Sequence, residues 1–125
     1  MNIKLFQIGF LVFLLSNTVQ SETLKKSFYD HFLMGTIWHG NKLGSNKNNT
    51  FLKQEKRIIS SEFNAITAEN AMKPKQIQPR EGVFTFKESD EMVAFAEAHN
   101  LTIIGHTLVW KNSAPDWFFV DKQGG

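Results

Sequence analysis

Two groups of side chains in this sequence have the chemistry to act together on a ligand. Glu69, Asn70 and Lys73 lie within five residues and supply a carboxylate acceptor, an amide that donates and accepts, and an ammonium donor. That mixture suits a neutral polyol such as a sugar, whose hydroxyls also do both. The plain alternative is a helical ion pair between Glu69 and Lys73, worth a few tenths of a kcal/mol. The second group closes the run Thr102-Ile103-Ile104-Gly105-His106-Thr107-Leu108-Val109-Trp110. His106 can bind a hydroxyl-rich ligand, carry a proton or ligate a metal, or it can be a hydrogen-bonded core histidine. No second His stands at metal-ligand spacing on the same element, and the chain has no cysteine, so a metal site is not expected. Trp110 has an aromatic face that can stack on a sugar ring or fill a core, and the same choice applies to Trp38 and Trp117. Phosphate-cradling glycine loops, serine elbows and paired carboxylates at catalytic spacing are all missing from the sequence.

Both groups follow apolar, β-branched runs, so both are expected just beyond the ends of strands. In parallel α/β folds ligands gather at the carboxyl ends of the strands. The run at 102–110 reads as a buried strand, 63–67 as a second and 33–38 as a first. Between them, Phe51 and Ile58, and Leu52 and Ile59, recur seven residues apart and predict a helix capped by Asn48, Asn49 or Thr50. Residues 88–99 predict another, with Met92, Val93, Phe95 and Ala96 apolar and Asn100 placed to end it. Thr85 and Glu88 have the spacing of a capping box at its start. A short helix is expected over 23–32, a loop over 40–46, and no long helix between Pro74 and Pro79. Residues 80–86 read as a turn into a short extended piece. Strand, helix, strand, helix, strand is the order of βαβ units and a parallel sheet.

Length and charge narrow the classes. The 125 residues make one ordinary domain, whereas a closed eight-stranded α/β barrel needs about 250. The aromatic stretch 115–120 has no closing helix after it, so the chain is expected to be the front part of a larger fold. The net charge of +2 is scattered, and neither nucleic acid nor an acidic membrane surface is an expected partner. Residues 1–21 have the form of a cleavable signal peptide: Lys4, an apolar core over 5–15, and small or tolerated residues near Ser21. Ser16 and Asn17 end that core short of the roughly 20 apolar residues a membrane span needs. The mature chain is therefore expected to be 22–125, secreted or periplasmic, with no membrane attachment.

The segments Phe63-Asn64-Ala65-Ile66-Thr67-Ala68-Glu69-Asn70-Ala71-Met72-Lys73, Glu81-Gly82-Val83-Phe84 and Gly105-His106-Thr107-Leu108-Val109-Trp110 closely resemble glycoside hydrolase family 10, the endo-1,4-β-xylanases. The resemblance runs from about residue 24 to 119. It implies an α/β fold that is the N-terminal part, about three β/α units, of a (β/α)₈ TIM barrel. It also implies hydrolysis of internal β-1,4 bonds of xylan with retention, without metal or organic cofactor. On the same ground Glu69, Asn70 and Lys73 would bond a sugar at the distal glycone subsite, and His106 and Trp110 the sugar beside the scissile bond; xylan or a xylo-oligosaccharide is the partner. A retaining glycosidase needs two carboxylates about 5–5.5 Å apart. In the family these are glutamates after strands four and seven, so no catalytic residue is expected in this chain. Two departures stand out: Lys111-Asn112-Ser113 replaces a usual His-Ser-Gln, and Pro74 stands where Trp is common. The rival readings are a non-catalytic carbohydrate-binding or degenerate protein, and a related retaining β-glycanase.

Overall fold

The three apolar runs pair, all in one direction. In a computed structural model, which describes residues 21–40 and 49–121, β1 (Gly35–Trp38), β2 (Ala65–Ala68) and β3 (Thr102–Ile104) form a parallel sheet in the order β1-β2-β3. Thr36 is level with Ile66 and Ile66 with Ile103, so each row continues across the sheet. Helix α1 (Leu24–Ser27) precedes β1, α2 (Asn49–Glu62) joins β1 to β2, and α3 (Pro74–Ile77) and α4 (Lys87–Ala98) lie between β2 and β3. The expected leader at 1–21, apart from Ser21, the loop at 41–46 and Asn48 lie outside the described residues. Among the described residues no helix is long and apolar enough to cross a membrane.

One face of the sheet carries the core. Trp38, Ile66 and Ala68 pack with Ile59 of α2 and Met92 and Ala96 of α4, and Leu101, Ile103 and Phe95 add to the cluster. Both crossover helices thus cover the same side, which lets a parallel sheet roll towards a barrel; a doubly wound sheet needs helices on both faces. The alternate row tells the same story: Ile37 and Ile104 share the other face and are 50% and 49% exposed.

Several sequence expectations need correction. The helix predicted over 23–32 stops at Ser27, where Phe28 and Phe32 stack on each other at 5.0 Å rather than lining a helix face. β3 is three residues long and partly exposed, not a buried run to Trp110; beyond Ile104 the chain leaves the ladder, and Leu108 and Val109 face solvent. The capping box does not form: α4 starts at Lys87 with Phe86 as its N-cap, and the Thr85 hydroxyl donates instead to the Gln76 carbonyl. α2 begins at Asn49, so neither Asn49 nor Thr50 is its cap; Asn48, the remaining candidate, lies outside the described residues.

Other expectations hold. Pro74 is the first residue of a four-residue helix. Arg80 and Val83 form an isolated antiparallel bridge in the turn predicted over 80–86. Asn100 ends α4 in the left-handed region, φ 54°, with the Asn100 amide donating to the Glu97 carbonyl and the Leu101 amide to that of Ala96. This is a Schellman turn, sealed by Leu101 in the core. Because a β-branched residue resists that backbone, Asn100→Val is expected to lower stability by about 1–2 kcal/mol and Asn100→Gly to leave it equal or raise it, read from the midpoint of urea unfolding.

Candidate functional site

The parallel register delivers the two polar groups to the same end of the sheet. Thr67 pairs with Ile104, so Glu69 and His106 each stand two residues further along neighbouring strands. The Glu69 amide donates to the Trp38 carbonyl at 3.0 Å, which carries the β1–β2 ladder one step past Ala68 and fixes the backbone there. The Lys73 amide then donates to the Asn70 carbonyl at 3.0 Å, curling residues 70–73 into a turn. Pro74, buried at the first position of α3, holds Lys73 in an extended conformation, φ −72° and ψ 146°.

Side chains close the gap between the strands. Lys73 Nζ donates to Asn70 Oδ1 at 2.8 Å and lies 4.5 Å from the centroid of the Trp110 ring. The Trp110 and His106 rings are 6.2 Å apart and tilted by 45°. Asn70, Lys73, Trp110 and His106 therefore form one continuous row of contacts, with Glu69 next to it in sequence. The helical Glu69–Lys73 ion pair considered above is not formed, since the lysine reaches Asn70 and Trp110 instead. The peptide bond between His106 and Thr107 is cis.

What these groups leave unused defines what they can bind. Among the described residues the Glu69 carboxylate, the Asn70 amide N–H groups and both His106 ring nitrogens make no hydrogen bond to the protein, and all three residues are exposed. An acceptor, donors, an imidazole and an indole 41% exposed thus stand beyond neighbouring strand ends on one rim. No three of His, Cys, Asp and Glu converge among the described residues as a metal centre would require.

The other two tryptophans divide. Trp38 is core, 3% exposed, with Phe95 at 4.8 Å and Lys56 Nζ over its ring at 5.4 Å. Trp117 donates from Nε1 to the Gln78 carbonyl at 3.0 Å, tying the segment after β3 to the segment after β2. Sequence spacing gave no sign of His39, whose Nδ1 sits 2.8 Å from Glu55 Oε1 and fastens the end of β1 to α2. The replaced positions are also placed. Lys111–Ser113 is a turn of 3₁₀ helix directly after Trp110, with the Ser113 amide donating to the Trp110 carbonyl at 2.9 Å.

A parallel sheet with crossover helices on one face and a polar, indole-lined rim beyond its strand ends is the arrangement of successive β/α-barrel units, a class of fold whose ligands gather at that rim. Residues 23–124 match Glycosyl hydrolase family 10, and the chain belongs to that family, corresponding to an N-terminal portion of its barrel. It is 40% identical over 108 residues to exoglucanase XynX of Acetivibrio thermocellus, a match covering 85% of this chain and 9% of that protein. It is likewise 40% identical over 108 residues to endo-1,4-β-xylanase A of Thermoanaerobacterium saccharolyticum, with the same shares of 85% and 9%. Among solved structures, xylanase XynB from Paenibacillus barcinonensis complexed with a conduramine derivative superimposes with a TM-score of 0.71 at 36% identity, over 86% of this chain and 30% of that one. The chain thus spans less than a third of the length of each of these relatives.

Proposed function

We propose that the whole protein is a secreted endo-1,4-β-xylanase that cleaves internal β-1,4 bonds of xylan with retention, and that this chain contributes glycone-side sugar contacts. The observation that carries the reading is the row from Asn70 through Lys73 and Trp110 to His106, flanked by Glu69, with its donors and acceptors unengaged. Membership of the family supports the reaction class.

In this reading Glu69 accepts from sugar hydroxyls, Asn70 and Lys73 donate to hydroxyl oxygens, and His106 and Trp110 border the sugar beside the bond that breaks. Retention needs one carboxylic acid to protonate the leaving oxygen and one carboxylate to attack the anomeric carbon, forming a glycosyl-enzyme that water then releases. Glu69 is not that nucleophile, because the matching position in the family binds substrate; both reacting glutamates are assigned to later strands of the barrel. Export follows from the leader-like residues 1–21.

A second reading, a β-1,4-glucanase, is favoured by the exoglucanase name of one relative. The two part on substrate. The whole protein is expected to release reducing ends from xylan with a β-configured first product, while residues 22–125 alone release none. Release from β-1,4-glucan and not from xylan, or an α-configured product, would overturn the proposal.

A further inference from the structure

We infer that Lys73 is a positioning residue, which clamps the Trp110 indole and orients the Asn70 carboxamide before any saccharide arrives; this rests on the carbohydrate-binding reading of the rim. The two ends of the clamp are anchored alike at the backbone and differ in what flanks them. Lys73 is the N-cap of α3, between an Asn70 carbonyl that accepts its amide and Gln76 and Ile77 amides that donate to its carbonyl at 2.9 and 3.0 Å. Pro74 after it is buried, Ala71 belongs to the core and Met72 packs against it. The lysine stem therefore leaves a backbone that has little freedom.

Trp110 has the same kind of backbone anchor, its carbonyl accepting from the Ser113 and Ala114 amides at 2.9 and 2.8 Å, but no core residue leads into it. It follows Leu108 and Val109, 93% and 69% exposed, and its ring touches Lys73 on one side and the tilted His106 ring on another. An ammonium centred near an aromatic face is drawn to the ring quadrupole, more strongly as water is excluded. The lysine, tied at its backbone and through Nζ to Asn70, fixes the ring.

Two consequences for recognition follow. The ring face under the ammonium is occupied, so a sugar meets the opposite face or the edge. The bond from Lys73 takes one lone pair of Asn70 Oδ1 and fixes which end of the carboxamide is oxygen, so its N–H groups are held on the other side, where they favour an oxygen acceptor on the ligand. Lys73 thus sets the polarity of its neighbour as well as the position of the ring.

The test uses the whole protein labelled with 5-fluorotryptophan, with the Trp110 fluorine resonance assigned by its loss in Trp110→Phe. Without ligand, Lys73→Met is expected to shift and broaden that resonance, while Lys73→Arg, which keeps a cation over the ring, leaves it sharp. Xylotriose affinity supplies the second readout: Lys73→Met should cost about two- to fivefold less in a Trp110→Leu background than in the unaltered protein. An unchanged resonance in Lys73→Met, or affinity losses that multiply independently, would overturn the positioning role. Failure of the unaltered protein to bind xylotriose would instead overturn the carbohydrate reading, and the fluorine signal would still decide whether Lys73 holds the ring.

Discussion

Met92→Ala is expected to destabilise the fold by about 2–5 kcal/mol, the largest effect of any truncation considered. Met92 is fully buried in α4 and packs in the cluster that holds Trp38, Ile66 and Ala96. Removing its thioether chain takes apolar surface out of contact and leaves a void between helix and sheet. The surroundings have little freedom to collapse into it. Ile66 is held by ladders on both sides, and α4 is pinned at its C-terminal end by the Schellman turn at Asn100. Since a whole domain is stable by only about 5–15 kcal/mol, the loss is large enough to show as a lower urea midpoint with an unchanged slope. Leu108→Ala is the matched control. Leu108 is 93% exposed, so its truncation is expected to stay within about 0.5 kcal/mol. Equal effects from the two substitutions would mean that the core does not lie between the sheet and its crossover helices.

Glu69→Ala is expected to weaken xylotriose binding by about 1.5–3 kcal/mol, roughly ten- to a hundredfold, while leaving the unfolding midpoint unchanged. The split between affinity and stability follows from the position of the side chain. Glu69 is exposed, and its carboxylate makes no bond to the protein among the described residues, so folding gains nothing from it. A sugar hydroxyl that donates to it gains a charge-assisted hydrogen bond, which is among the stronger polar contacts. Glu69→Gln keeps the size and one acceptor oxygen but loses the charge, and an intermediate loss of affinity is expected. Trp38→Phe should show the opposite pattern, with stability lowered and binding little altered, because that indole lies in the core. Titration calorimetry with xylotriose on the whole protein, alongside urea unfolding, separates the two patterns.

Much of the fold could be read from residue order, because alternating apolar runs and amphipathic segments leave few architectures. The strands were placed within two residues at most of their ends, with the third as the exception. There the β-branched run continues through Leu108 and Val109, but a strand needs a partner as well as a pattern. Thr67 with Ile104 is the last pair between β2 and β3, and β2 itself ends one residue later at Ala68, far short of a partner for Leu108 and Val109. The capping box failed for a related reason. Thr85 has the right spacing to cap α4, yet the turn after α3 brings the Gln76 carbonyl within reach and captures the hydroxyl. Local signals cannot anticipate a competitor brought in by the tertiary fold. By contrast, Asn100 was legible because it acts locally, through a backbone conformation that Asn tolerates better than most residues.

The site divides along the same line. The residue types at 69–73 and 106–110 were visible in sequence, since mixed donors and acceptors after apolar runs are a local pattern. The contact of Lys73 with Trp110 was not, because it joins positions on different strand ends and depends on register and on the turn held by Pro74. The plain alternative for Lys73, a helical pair with Glu69, lost because residues 70–73 form a turn, not a helix, and the ammonium points away towards the third strand. Sequence spacing also could not separate Trp38 from Trp110. Both follow apolar residues near a strand end, but one faces α2 and α4 and the other faces the rim.

The central claim is that two side-chain groups from neighbouring strand ends grip one saccharide. A crystal structure of the whole protein soaked with xylotriose tests it most directly. The expected result is a single chain of sugar units bonded by Glu69, Asn70 and Lys73 on one side and bordered by His106 and Trp110 on the other. Xylotriose held by only one of the two groups, or bound elsewhere on the protein with this rim empty, would contradict it.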